Sequence, residues 1–183
     1  MPPRFGIGLA FACGLASVVW AAQAALWIDV PFVKQERNGC GAASIAMVVE
    51  YWQHQQGRSG RADAAEIQRA LYTEKVHGIY ASQIERYFEE HGFRVFAFAG
   101  EWDDLEQHVR KGRPLIVALK PGAGDLHYVV VAGVDEQRRL VLVNDPAERK
   151  LLEREWQTFA QEWKGAAHWT LLAVPREGAS SAR

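Results

Sequence analysis

Cysteine is scarce in this sequence, with two in 183 residues, Cys13 and Cys40. So few thiols exclude a cysteine-rich zinc site. A charge excess is lacking as well: the formal net charge is −1, which removes the basic footprint of a nucleic-acid binder. No phosphate-binding glycine loop and no internal repeat occurs, and no shift in composition marks a second domain. What is present suits a packed fold. Hydrophobic residues make up 49% and charged ones 23%, and the length falls within the roughly 100–200 residues of a single domain.

Charge is also missing from the first stretch. Arg4 is the one charged residue before Asp29, and 5–27 is an uncharged, apolar run. Ala22-Gln23-Ala24 fits a small-x-small cleavage site. Residues 1–24 are therefore expected to be an export signal, with a mature chain beginning at Ala25 outside the cytoplasm, periplasmic or secreted. The rival is an uncleaved anchor giving membrane association, since about 20 apolar residues span a bilayer. A lipid-modified Cys13 is the third option, but Ala10 stands where an aliphatic residue is wanted. Cleavage leaves Cys40 as the single cysteine, unable to form an intramolecular disulfide. A lone thiol in an oxidising compartment points to reactivity over structure.

The chain is organised around 35–52. Asn38-Gly39 is a turn signal, because both residues tolerate positive φ. From Gly41 to Trp52 only Ser44 and Glu50 interrupt an apolar run, the mark of a buried helix. Cys40 sits where turn meets helix. A thiol there faces unpaired N–H groups and the positive end of the helix dipole, which favour the nucleophilic thiolate. Gln35, across the turn, can fold its amide back beside the sulfur and complete an oxyanion hole with the Cys40 N–H. Taken singly, Cys40 reads as a small buried residue and Gln35 as a solvated one.

Residues 27–33 read as a short edge segment limited by Pro31. Asp63-x-x-Glu66 and Ser82-x-x-Glu85 open two helices, and Gly92 ends the second. Residues 93–98 read as a strand, Trp102, Leu105 and Val109 as a helix closed by Gly112, and 114–119 as a strand. The glycine-bearing loop 121–125 leads into strands at 127–134 and 140–143. Trp156, Phe159 and Trp163 form a helical core stripe, and 168–174 is the last strand. Helices first and strands later predict an α+β fold over 25–174, one helical lobe against a mostly antiparallel sheet, with a disordered tail at 175–183.

Of six histidines, His127 is the candidate base, because it opens a strand directly after the loop. The next strand ends Asn144-Asp145-Pro146. If the two strands form a hairpin, Asp145 comes near His127 and can fix its tautomer. Alone, Asp145 reads as a turn former before Pro146. Neighbours on a strand point to opposite faces, so only one of Asp145 and its fallback Asn144 can hold His127.

Gln35-x₄-Cys40-Gly41 before an apolar helix, then His127-Tyr128-Val129-Val130-Val131, then Asn144-Asp145-Pro146-Ala147, resembles the bacteriocin-processing, double-glycine leader cysteine peptidases of the papain-like clan. The resemblance implies a papain-like fold and a peptidase without cofactor or metal, acting on a peptide or protein. It also implies Cys40 as nucleophile, His127 as base and acid, Asp145 as the orienting residue and Gln35 as oxyanion donor. Well-known members are the N-terminal part of a membrane exporter; here a stand-alone, exported member is expected. Two alternatives stay open: an acyl transferase or deamidase on the same triad, and a catalytically silent peptide-binding module. N-terminal sequencing of protein from an extracytoplasmic fraction is expected to begin near Ala25, whereas an intact Met1 in the membrane fraction would establish the anchor.

Overall fold

The computed structural model describes residues 25–176. The expected export signal at 1–24 and the tail beyond Arg176 lie outside the described residues. Among those described, no helix is long and apolar enough to cross a membrane. The elements run β1 (Leu26–Trp27), α1 (Cys40–Gln55), α2 (Ala64–Leu71), α3 (Ala81–Glu90), β2 (Phe93–Ala99), α4 (Trp102–Arg110), β3 (Leu115–Leu119), β4 (His127–Asp135), β5 (Leu140–Asn144), β6 (Leu152–Glu155), α5 (Trp156–Gly165) and β7 (Trp169–Pro175).

The fold is α+β, as expected. One seven-stranded sheet has the order β2-β7-β3-β4-β5-β6, and β1 pairs with β4 beyond the end of β3. Every pairing is antiparallel. β1 can lie close because Gly133 has no side chain: a Cβ there would meet the Leu26 carbonyl oxygen at 2.8 Å and Leu142 at 2.6 Å.

The period-2 alternation of each strand divides the core. Ile116, Ala118, Tyr128, Val130, Leu171 and Ala173 face α1 and α3, where they meet Ile45, Met47, Ile84 and Phe88. Leu115, Val117, Leu119, Val129, Val131 and Leu172 face the other way, onto Leu105 and Val109 of α4 and Phe159 and Trp163 of α5. The single lobe expected from the sequence is therefore half of the cover, since α4 and α5 close the second face. A sheet buried on both sides needs apolar residues at every position, and β3 is buried throughout.

Local signals act with some shifts. Asp63 caps α2, accepting from the N–H groups of Ala65 and Glu66 at 2.9 and 3.0 Å. α3 starts one residue before Ser82, and it is Gln83 that reaches back to the Tyr80 N–H at 3.0 Å. Of the expected edge segment at 27–33 only Trp27 pairs as a strand, together with Leu26 before it. β6 was not expected. β7 runs through Pro175, and the Arg176 N–H donates to the Gly92 carbonyl at 2.9 Å, so the fold extends past the expected boundary at 174.

The strap from 28 to 35 carries the chain from β1 to α1, and Asn144 holds it. The fully buried amide of Asn144 donates to the Val30 and Pro31 carbonyls at 3.1 and 3.3 Å and accepts from the Leu151 N–H at 2.9 Å. Asn144→Ala is expected to destabilise the fold by about 2–4 kcal/mol, since it leaves buried backbone groups unpaired. Urea unfolding checks this; a loss under about 0.5 kcal/mol would show that water replaces the amide.

Candidate active site

Cys40 is the first residue of α1 and is partly exposed. The turn before it closes through the Gly39 N–H and Glu36 carbonyl at 3.0 Å, and the helix begins where the Ala43 N–H donates to the Gly39 carbonyl at 2.9 Å. Asn38 takes the left-handed conformation, with φ of 57°. Gly39 does not, with φ of −99°. Its glycine serves close approach instead, because a Cβ would lie 2.3 Å from the Gln68 side-chain oxygen. No side chain caps this end of α1, so the thiol stands at the positive end of a long buried helix.

His127 opens β4, opposite Leu119 of β3. Its Nε2 lies 2.7 Å from Asp145 Oδ1. Asp145 follows β5 and is 2% exposed. The same Oδ1 accepts from the Ala147 N–H at 3.0 Å, while the Asp145 N–H donates to the Arg149 carbonyl at 3.1 Å. The carboxylate is thus fixed by its own turn. Asp145, and not Asn144, touches the imidazole; Asn144 points the other way and holds the strap.

Nε2 is occupied by Asp145, which leaves Nδ1 to serve the Cys40 side chain, the second group that acts on the imidazole. Burial alone would lower the basicity of His127. The hydrogen bonds and negative charge of Asp145 and Cys40 overcome it and raise the pKa from 6.5 to about 9. Asp145 is pushed up by burial but pulled further down by His127, Ala147 and Arg154, and ends below its ordinary value.

Gln35 ends the strap. Its N–H donates to the Pro146 carbonyl at 2.9 Å, tying it to the turn that carries Asp145. Its side-chain oxygen is buried without a partner.

A cleft of about 460 Å³ opens beside Cys40. One wall is 75–81, including Gly78, Ile79 and Tyr80; the other is Lys120, the end of the glycine loop, Leu126 and Tyr128. Trp52 lies away from this cleft, with its indole N–H donating to the Ala173 carbonyl at 2.9 Å.

The sequence profile of the Peptidase C39-like family matches residues 27–170, most of the chain. The protein belongs to the Peptidase C39-like family. It is a cysteine peptidase. No curated protein matches it. Its fold is shared by a Bacillus anthracis C39-like peptidase, with 17% identity and a TM-score of 0.66 over 84% of this chain and 99% of that one. The peptidase domain of Streptococcus ComA, a bifunctional ABC transporter of a quorum-sensing pathway, shows 22% identity and a TM-score of 0.66 over 81% and 100%. A double-glycine motif protease from an AMS/PCAT transporter, solved with its leader peptide, shows 20% identity and a TM-score of 0.64 over 84% and 100%.

Within this C39-like domain the structure adds two residues that the sequence analysis passed over. Arg154 of β6 has its Nη1 4.0 Å from Asp145 Oδ2, and its Nη2 pairs with Glu162 of α5. The signal was the alternation in Leu152-Glu153-Arg154-Glu155, which puts Leu152 and Arg154 on the inner face.

The His127–Asp145 pair makes stability depend on pH. The folded protein holds the His127 proton more tightly than the unfolded chain. That contribution is complete below about pH 6.5 and is lost as pH rises through about 9. Asp145 contributes stability above its ordinary 3.8, which is lost as pH falls below that value. The melting deficit of Asp145→Asn is therefore expected to be largest near pH 5–6 and to shrink above about pH 9. A deficit equal at pH 6 and pH 10 would contradict it.

Proposed function

We propose that this protein hydrolyses peptide bonds through Cys40, His127, Asp145 and Gln35, preferring small residues, Gly above all, immediately before the cut. The observation that carries this is the 2.7 Å contact of His127 with buried Asp145, on an imidazole whose other nitrogen serves Cys40 at an uncapped helix start.

With a pKa of about 9, His127 is an imidazolium at neutral pH. An imidazolium and a helix N-terminus beside a sulfur favour the thiolate. The Cys40 thiolate attacks the scissile carbonyl carbon, and the carbonyl π electrons move to oxygen. The Cys40 backbone N–H and the Gln35 amide donate to that oxyanion. As the C–N bond breaks, His127 gives its Nδ1 proton to the leaving amine, and a thioester remains. Neutral His127 then takes a proton from water, whose oxygen attacks the thioester and releases the acid and Cys40.

The preference for small residues is read from the cleft, which Ile79, Tyr80 and Tyr128 line beside Cys40. It agrees with the double-glycine motif named for one structural relative. The substrate is thus a peptide or protein carrying a small-residue site, and the expected export signal puts the reaction outside the cytoplasm.

Cys40→Ala is expected to abolish cleavage and keep the fold. Gln35→Ala is expected to lower kcat about 10²–10³-fold, while leaving simple alkylation of the thiol nearly unchanged, since alkylation forms no oxyanion. Peptide-library profiling of residues 25–183 measures the preference. Large or charged residues immediately before the cut would refute the narrow cleft, and cleavage by Cys40→Ala would refute the nucleophile.

A further inference from the structure

A chain of alternating charge continues behind His127. Asp145 Oδ1 faces the imidazole, and its Oδ2 lies 4.0 Å from Arg154 Nη1. Arg154 Nη2 pairs in turn with Glu162 Oε2. The side chains are mostly withdrawn from water: Asp145 is 3% exposed, Arg154 18% and Glu162 17%. Arg154 does not reach the cleft and touches no group that reacts. It sits opposite Val141 in the β5–β6 pairing, on the strand that the sequence analysis passed over.

An arginine so placed costs desolvation, which partners must offset. Glu162 offsets part of it; the rest is directed at the one carboxylate that holds His127. We infer that Arg154 is a positioning residue for the reaction. Balanced by Glu162, it holds the outer oxygen of Asp145 and draws negative charge away from the oxygen that grips His127. The inference rests on the proposed roles of His127 and Asp145. The imidazole must bind its proton firmly enough to pair with the thiolate, yet release it to the leaving amine. Asp145 supplies the first demand, and the Arg154–Glu162 balance supplies the second by limiting the hold of Asp145.

The charged groups around this chain are Cys40 and Asp145 on His127, and Arg154 with Glu162 behind Asp145. The two members of the ion pair therefore act with opposite sign. Removing the Arg154 charge leaves Asp145 with more negative charge for His127. Removing the Glu162 charge turns the full charge of Arg154 onto Asp145.

The test follows the His127 imidazole by NMR titration in the chain with Cys40→Ala, which removes coupling to the thiol, with melting curves to verify folding. Arg154→Gln is expected to raise the His127 titration midpoint, and Glu162→Gln to lower it, each by about half a pH unit or more. Arg154→Lys keeps the charge and is expected to stay near the parent; it keeps the test open if Arg154→Gln does not fold. A general loosening of the β6–α5 contact would move both variants the same way. Shifts in the same direction, or no shift in a folded Glu162→Gln, overturn the inference. Asp145→Asn as a further arm separates the two levels: if it leaves the titration unmoved, the proposed role of Asp145 itself fails.

Discussion

His127 keeps its proton at neutral pH because a buried carboxylate accepts from it at 2.7 Å, and much of the fold serves that one distance. His127 and Asp145 lie at the same edge of two paired strands, one at the start of β4 and the other just past the end of β5. Neither strand can slide, since a shift by one residue would turn its apolar side chains to the wrong face. The register of a sheet buried on both sides is thus also the geometry of the site. Asp145 is held further by its own turn, where Ala147 and Arg149 bond to it.

The other partner arrives on a different element. α1 packs through Ile45, Met47 and Val48 onto the face of β4 that carries Tyr128 and Val130. Gly41 lets the cleft wall come close to its first turn: a Cβ there would be 3.2 Å from Ile79. That packing sets where the helix starts, and so where the thiol stands. The strap that brings Gln35 is tied to the same turn as Asp145, by Asn144 below and the Pro146 carbonyl above. Cys40, His127, Asp145 and Gln35, the residues proposed to act, are therefore held by a shared set of buried contacts.

Much of this was legible in the residues. A turn running into an apolar helix placed Cys40 at a helix start, and a histidine after a glycine loop placed His127 at a strand start. Local chemistry determines both. The choice between Asn144 and Asp145 was not local, because alternation along a strand says that they face opposite ways but not which way is inward. The buried strap, which Asn144 holds, decides it. The cleft wall at 75–81 joins a single 3-10 turn, Glu74–Val76, to the start of α3 and carries no periodicity to read. Arg154 and Glu162 were passed over, because their meaning comes from β6 pairing with β5 and α5 folding back over it. Gly39 looked like a conformational requirement and proved to be a spatial one, set by Gln68 from another helix.

The most direct test of the account is the pH dependence of labelling by a Gly-Gly vinyl sulfone, read by intact mass. The parent domain is expected to gain one adduct, mapped to Cys40, with a rate already high at neutral pH. His127→Ala is expected to label far more slowly there and to recover only near the ordinary thiol pKa of about 8.5. Equal rates in parent and His127→Ala at neutral pH, or an adduct away from Cys40, would contradict the thiolate–imidazolium pair on which the account rests.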